Sequence, residues 1–103
     1  MEIQSLIRQF EHQLRIQRYS DATIRNYKSA LDNFLKLTDK KFSSITEIDV
    51  AVVENYICLL IEKKNISLSF QRTILASIDK FFNLVIGSPL AIRHLYPDRK
   101  SVV

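Results

Sequence analysis

At 103 residues and 12.0 kDa the chain is long enough for one domain and too short for two. Hydrophobic residues make up 47% and charged residues 25%, a globular balance that excludes general disorder, and one Gly with two Pro leaves too few turn residues for a many-stranded sheet. The net charge of +4 is unevenly divided: residues 42–62 carry four acids and no Lys or Arg, while the rest carries fifteen bases against seven acids, so one basic surface able to attract polyanions is expected.

A first helix is predicted from Glu2 to about Gln17, where Ile3, Leu6, Ile7, Phe10 and Leu14 recur at three- and four-residue steps and form one apolar stripe. Tyr19-Ser20-Asp21 interrupts it. Ser20 is a good N-cap for a second helix, its hydroxyl accepting a bond from an otherwise unpaired amide, and Asp21 suits the positive end of the dipole. That helix is predicted over 21–37, with Ile24, Tyr27, Leu31, Phe34 and Leu35 inward. Arg25, Asn26, Ser29, Asn33 and Lys36 fall on its opposite side, which contains no acid; Asp32 lies toward the margin.

Residues 38–48 read as a connector anchored by Phe42 and Ile45. Thr46 or Asp49 can cap a third helix running to about Lys64, with Val50, Val53, Tyr56, Ile57, Leu60 and Ile61 as its stripe. Val52, Cys58 and Leu59 widen the stripe, so this is expected to be the most buried helix, with Cys58 in the core. Ser67 or Ser69 can cap a fourth helix, whose stripe is Phe70, Ile74, Leu75, Ile78, Phe81, Phe82 and Val85. Arg72, Thr73, Ala76, Lys80 and Asn83 lie across from it. Gly87 suits the left-handed close of a helix, and Pro89 prevents continuation. From Ser88 onward the chain reads as a basic tail containing Arg93, His94, Arg99 and Lys100 with one acid, Asp98.

The residues do not assemble a catalytic site. One Gly cannot form a phosphate-binding loop, the carboxylates are dispersed, His12 reads as a surface side chain and His94 lies in the tail. A lone cysteine supports neither an internal disulfide nor a cysteine-based zinc centre. No cofactor or metal is therefore expected. Met1-Glu2-Ile3-Gln4 does not resemble a secretory signal, and the longest apolar run, 56–61, is far below the roughly twenty residues of a membrane span. A soluble, cytoplasmic chain with no membrane partner is the expectation. The polar faces of the second and fourth helices suit DNA: Arg and Lys neutralise phosphates, Ser and Thr bond phosphate oxygens, and Asn reaches base edges.

The order of these features is more specific than their composition. Residues 18–35, Arg-Tyr-Ser-Asp-Ala-Thr-Ile-Arg-Asn-Tyr-Lys-Ser-Ala-Leu-Asp-Asn-Phe-Leu, resemble the Tyr-Ser-x-x-Thr-x-x-x-Tyr-x-x-x-Leu-x-x-Phe signature of tyrosine recombinases and phage integrases. Thr46-Glu47-Ile48-Asp49 with Tyr56-Ile57 is similar to that family's third helix, and residues 75–82 to its Leu-Ser-Ala-Leu-Arg-x-Phe-Phe fourth helix. The resemblance covers Met1 to about Pro89. It implies an all-α, four-helix SAM-like orthogonal bundle: a core-binding domain over 1–88, followed by a linker over 89–103 toward a C-terminal catalytic domain.

It further implies a half-clamp that grips one face of double-stranded DNA, with neighbouring protomers touching one another on the duplex. The DNA-facing positions fall on Thr23, Arg25, Asn26, Ser29 and Asp32 of the second helix and on Ser69, Arg72 and Thr73 of the fourth. With Lys36 and Lys80 from the polar faces, the candidate DNA contacts are Thr23, Arg25, Asn26, Ser29, Lys36, Ser69, Arg72, Thr73 and Lys80. The chain departs from the family at Asp79, where an Arg is frequent, and at Ser88, where an Asn is frequent; an acid near phosphate would weaken the grip of the fourth helix. The family's nucleophilic Tyr motif is matched by none of Tyr19, Tyr27, Tyr56 or Tyr96, so this chain is expected to bind DNA without catalysing recombination, as one domain of a larger enzyme. The competing reading is a non-catalytic helical bundle that binds protein through its acidic third helix.

Overall fold

The computed structural model describes residues 2–97, and among these there are four α-helices and no strand. Asp98, Arg99 and Lys100 of the basic tail lie outside the described residues.

Helix α1 (Ile3–Ile16) buries Ile7, Phe10 and Leu14, the inner half of its expected stripe. It closes with Arg18 in left-handed backbone, φ 69°, and the Tyr19 N–H donates to the Leu14 carbonyl at 3.3 Å. That close normally takes Gly. Helix α2 (Asp21–Asp39) starts on Ser20, whose Oγ accepts from the Thr23 N–H at 3.2 Å, and runs two residues past the expected end. Its last turn buries Thr38, whose hydroxyl is satisfied by donating to the Phe34 and Leu35 carbonyls, both at 3.1 Å.

The connector is held by a 3-10 turn, Ile45–Glu47. The Glu47 carboxylate accepts from the Ser43 hydroxyl and from the Ser43 and Ser44 amides, each at 2.9 Å, and these bonds, that of the Ser43 side chain foremost, hold its pKa below the usual range. Phe42 and Ile45 are half-buried, and Ile48 is the deeper anchor.

Helix α3 (Val50–Lys64) is capped by Asp49, which accepts from the Val52 N–H at 3.1 Å, and ends on Asn65 in left-handed backbone. It is not the most buried helix. Only Val53, Tyr56 and Ile57 are buried; Leu59 and Ile61 are exposed, and so is Cys58, which the sequence placed in the core. The closest helix approaches are those of α2 to α4 and of α1 to α2, and α3 takes part in neither. Val50, Val52 and Leu60 pack against the edge of the core, and only Cys58, Leu59 and Ile61 of the apolar positions named for this helix are left exposed.

Helix α4 (Leu68–Phe81) is capped by Ser67, whose Oγ accepts from the Phe70 N–H at 3.1 Å. Phe70 lies outside the core, contrary to the stripe: it is exposed at the edge of the α2–α4 contact, and the buried face begins at Gln71 and Ile74. The helix widens into a π turn over Phe82–Ile86, and Gly87, at φ 79°, closes it with its N–H on the Phe82 carbonyl at 2.9 Å. The chain then returns to the bundle. Ile92 is buried, and the Gln71 side-chain amide donates to the Leu95 carbonyl at 3.0 Å.

Phe10, Phe34 and Phe81 are fully buried at the centre. Phe10 meets Phe81 edge-to-face at 5.9 Å and Phe34 meets Tyr56 at 5.0 Å, contacts that add about 0.5–1.5 kcal/mol beyond area burial. Helix α2 is approached closely by both α1 and α4, and α1 also reaches the π turn that continues α4. At the α2–α4 crossing the fully buried Ser77 donates from Oγ to the Tyr27 carbonyl at 2.7 Å.

Candidate nucleic-acid interface

The polar faces of α2 and α4 meet on one surface. Ser77 lies against Tyr27 while Phe70 and Thr73 lie near Ala30 and Asn33, so the two helices run antiparallel across the crossing. A shallow depression of about 330 Å³ opens between them, lined by Asn26, Ser29 and Asn33 from α2, Ser69, Phe70 and Thr73 from α4, and the capping Ser67. No acid lines it. Amides and hydroxyls therefore converge at the mouth of a groove between two helices, a set that can donate to and accept from phosphates and base edges.

Of the nine sequence-derived positions, Asn26, Ser29, Ser69 and Thr73 are brought together here. The Thr73 hydroxyl donates to the Ser69 carbonyl at 3.2 Å, which leaves its oxygen able to accept from outside. Arg25 is exposed on α2 and Arg72 is half-buried on α4; neither lines the depression. Among the described residues neither Arg is held in an ion pair, so both guanidinium groups keep their donors for another anion. Thr23 is half-buried and its hydroxyl accepts from Ser20 Oγ at 3.0 Å within the cap of α2.

Lys36 stands beside this depression, in an adjoining groove. Its Nζ lies 2.9 Å from the Asp32 carboxylate. The outward face of α2 is therefore less purely basic than its sequence spacing implies, because an acid at the margin is one helical turn away. Exposed pairs of this kind contribute under about 1 kcal/mol and break readily for a better partner.

Lys80 is placed apart from the depression. From Ser69 to Lys80 the helix rises about 16 Å, and the ammonium packs over the rings of Tyr19 at 5.2 Å and Tyr27 at 6.0 Å. Hydrogen bonding to the Tyr19 side chain, against a smaller opposing effect of burial, raises its pKa. Lys28 also points away: its Nζ donates to Glu11 at 2.6 Å, and Arg15 bridges Glu11 and Asp21 at 2.8 and 3.1 Å, clasping α1 to α2. The Lys28 bond, followed by that of Arg15, holds the Glu11 carboxyl below the usual range.

Reasoning from periodicity missed Ser67 and Phe70. Periodicity gives Ser67 only a capping role and Phe70 a core one, and no feature of the local sequence distinguishes an apolar residue at the edge of a helix contact from one at its centre. Among the described residues no group of three or more His, Cys, Asp and Glu is placed to hold a metal, and no helix is long and apolar enough to cross a membrane.

The class these features define is a small all-α, SAM-like bundle whose second and fourth helices share one polar, acid-free depression. The family model for the N-terminal SAM-like domain of phage integrase matches residues 6–92, and the chain belongs to that family. The matched unit is the N-terminal domain of an integrase and not a catalytic domain. No curated protein and no solved structure matches the chain.

Proposed function

We propose that this chain is the core-binding domain of a site-specific tyrosine recombinase, gripping one face of duplex DNA with α2 and α4 for DNA integration and recombination. The observation that carries the reading is the common depression in which Asn26, Ser29 and Asn33 face Ser69 and Thr73 with no acid among the lining residues. On this reading Arg25, Arg72 and Lys36 neutralise phosphates, the hydroxyls of Thr23, Ser29, Ser69 and Thr73 fix the register on the backbone, and Asn26 reaches a base edge. Lys80 contributes through the field of the basic surface and not through direct contact, because its ammonium is engaged by Tyr19 and Tyr27. The chain that follows the bundle leads toward a catalytic domain that closes the other face of the duplex, and neighbouring protomers touch on the DNA.

Titration with a mixed-sequence duplex tests this reading. Alone, the domain is expected to bind with a dissociation constant on the order of 10⁻⁴ to 10⁻⁶ M at physiological salt. The amides of residues 20–30 and 69–77 should shift together, and Arg25→Ala and Arg72→Ala should each weaken binding on every sequence and reduce the salt slope by about 0.9. Unmoved amides in both stretches would remove the assignment.

A second reading has one observation in its favour: α3 leaves Leu59 and Ile61 exposed on a helix that also carries Glu54 and Glu62. A protein partner on that face would produce shifts confined to α3, and an affinity that changes little with salt.

A further inference from the structure

The depression between α2 and α4 does not end at Phe70. Ala30, Asn33 and Phe70 also line a second, larger groove of about 460 Å³, which continues toward the C-terminal ends of α2 and α3. Its floor is apolar, formed in part by Tyr56, Leu60 and Ile74, and its rim carries Lys36, Lys40 and Lys64. No Asp or Glu lines it. Phe70 stands where the two cavities join, 44% exposed. An aromatic ring in that position adds little to the core, yet it presents an apolar surface between lysines on one side and amides and hydroxyls on the other.

We propose that Lys40, Lys64 and Phe70 extend the DNA-binding surface beyond α2 and α4, the two lysines holding phosphates of the duplex and Phe70 making an apolar contact with a base edge or sugar between them. The proposal rests on the DNA-binding reading above. Two observations select a polyanion as occupant: three cations and no acid line the groove, and the groove is continuous with the candidate interface through Ala30, Asn33 and Phe70. Lys40 and Lys64 also suit the negative ends of the helices they terminate. That role alone predicts a stability effect and no effect on DNA binding, so the two are separable. Phe is suited to the apolar contact because the thymine methyl and the deoxyribose offer surfaces that amides and hydroxyls cannot use.

The test is the salt dependence of binding of the 103-residue chain to a labelled mixed-sequence duplex, by fluorescence anisotropy. Lys40→Gln/Lys64→Gln should weaken binding and lower the magnitude of the log–log salt slope by about 2, since each phosphate contact contributes about 0.9. Phe70→Ala should weaken binding several-fold at every salt concentration and leave the slope unchanged. The thermal unfolding midpoint, recorded for each variant, separates lost contact from lost fold, and the more conservative Phe70→Leu keeps the second arm interpretable should Phe70→Ala unfold. Parent-like affinity and slope in the lysine variant, while Arg25→Ala still lowers both, would overturn the extension and leave the α2–α4 reading standing. The groove would then be free for another ligand, such as an acidic protein segment. If Arg25→Ala and the lysine variant are both parent-like, the DNA-binding reading itself falls, and the extension with it.

Discussion

Ser77 concentrates at one residue what the packing of α2 on α4 requires. Its side chain is fully buried, small enough to let the helices approach, and its hydroxyl donates to the Tyr27 carbonyl at 2.7 Å. The hydroxyl is not the partner's only support, because that carbonyl is already placed within a helix. Ser77→Ala is therefore expected to cost about 1 kcal/mol, the net worth of one intramolecular hydrogen bond, and to lower the melting temperature by about 4–8 °C in a domain of this size. An unchanged melting temperature would mean that the bond adds nothing to the crossing. The sequence marks Ser77 only as a polar interruption between Leu75 and Ile78. Its partner is fifty positions away, and periodicity within one helix carries no information about it.

Three helices end in left-handed backbone, at Arg18 (φ 69°), Asn65 (φ 49°) and Gly87 (φ 79°). Gly87 is legible from sequence, because only Gly adopts this conformation without a Cβ penalty. Arg18 is not, since its conformation is imposed by the need to turn the chain sharply between α1 and α2. The two positions predict changes of opposite sign. A Cβ at Gly87 would meet nothing within 4 Å, so Gly87→Ala should cost only the conformational term, about 1 kcal/mol. Arg18→Gly relieves that same term and should leave the protein as stable as the parent or more so, by up to about 1 kcal/mol. Chemical denaturation of both variants checks the pair. Stabilisation by Gly87→Ala would contradict the left-handed close. Helix α3 illustrates the limit of element-level reading: its wide apolar stripe predicts deep burial, yet Cys58, Leu59 and Ile61 are exposed. Hydrophobicity states what a helix face would gain by burial, not whether a neighbouring element is close enough to bury it.

At the scale of the whole molecule, the bundle extends past the fourth helix. Ile92 is 1% exposed, and the Gln71–Leu95 hydrogen bond fastens the returning chain to α4. Ile92→Ala is expected to destabilise by about 2–5 kcal/mol, as for a core residue, whereas a linker residue would change stability by less than about 0.5 kcal/mol. Thermal unfolding distinguishes the two.

The four helices, the caps at Ser20 and Gly87, the central residues of each stripe (Val53, Tyr56 and Ile57 in α3 included) and the polar positions of α2 and α4 were all legible in the sequence, because each depends on contacts within about four residues along the chain. The family was also legible, through motifs carried by those same short spacings. Which polar faces share a surface, that Lys80 turns to Tyr19 and Tyr27 while Lys36 remains beside the α2–α4 depression, and that α3 leaves Cys58, Leu59 and Ile61 exposed are decided by the packed fold. These depend on how far apart two helices lie and how they are rotated, quantities set by the summed packing of the core and by no single stretch of sequence.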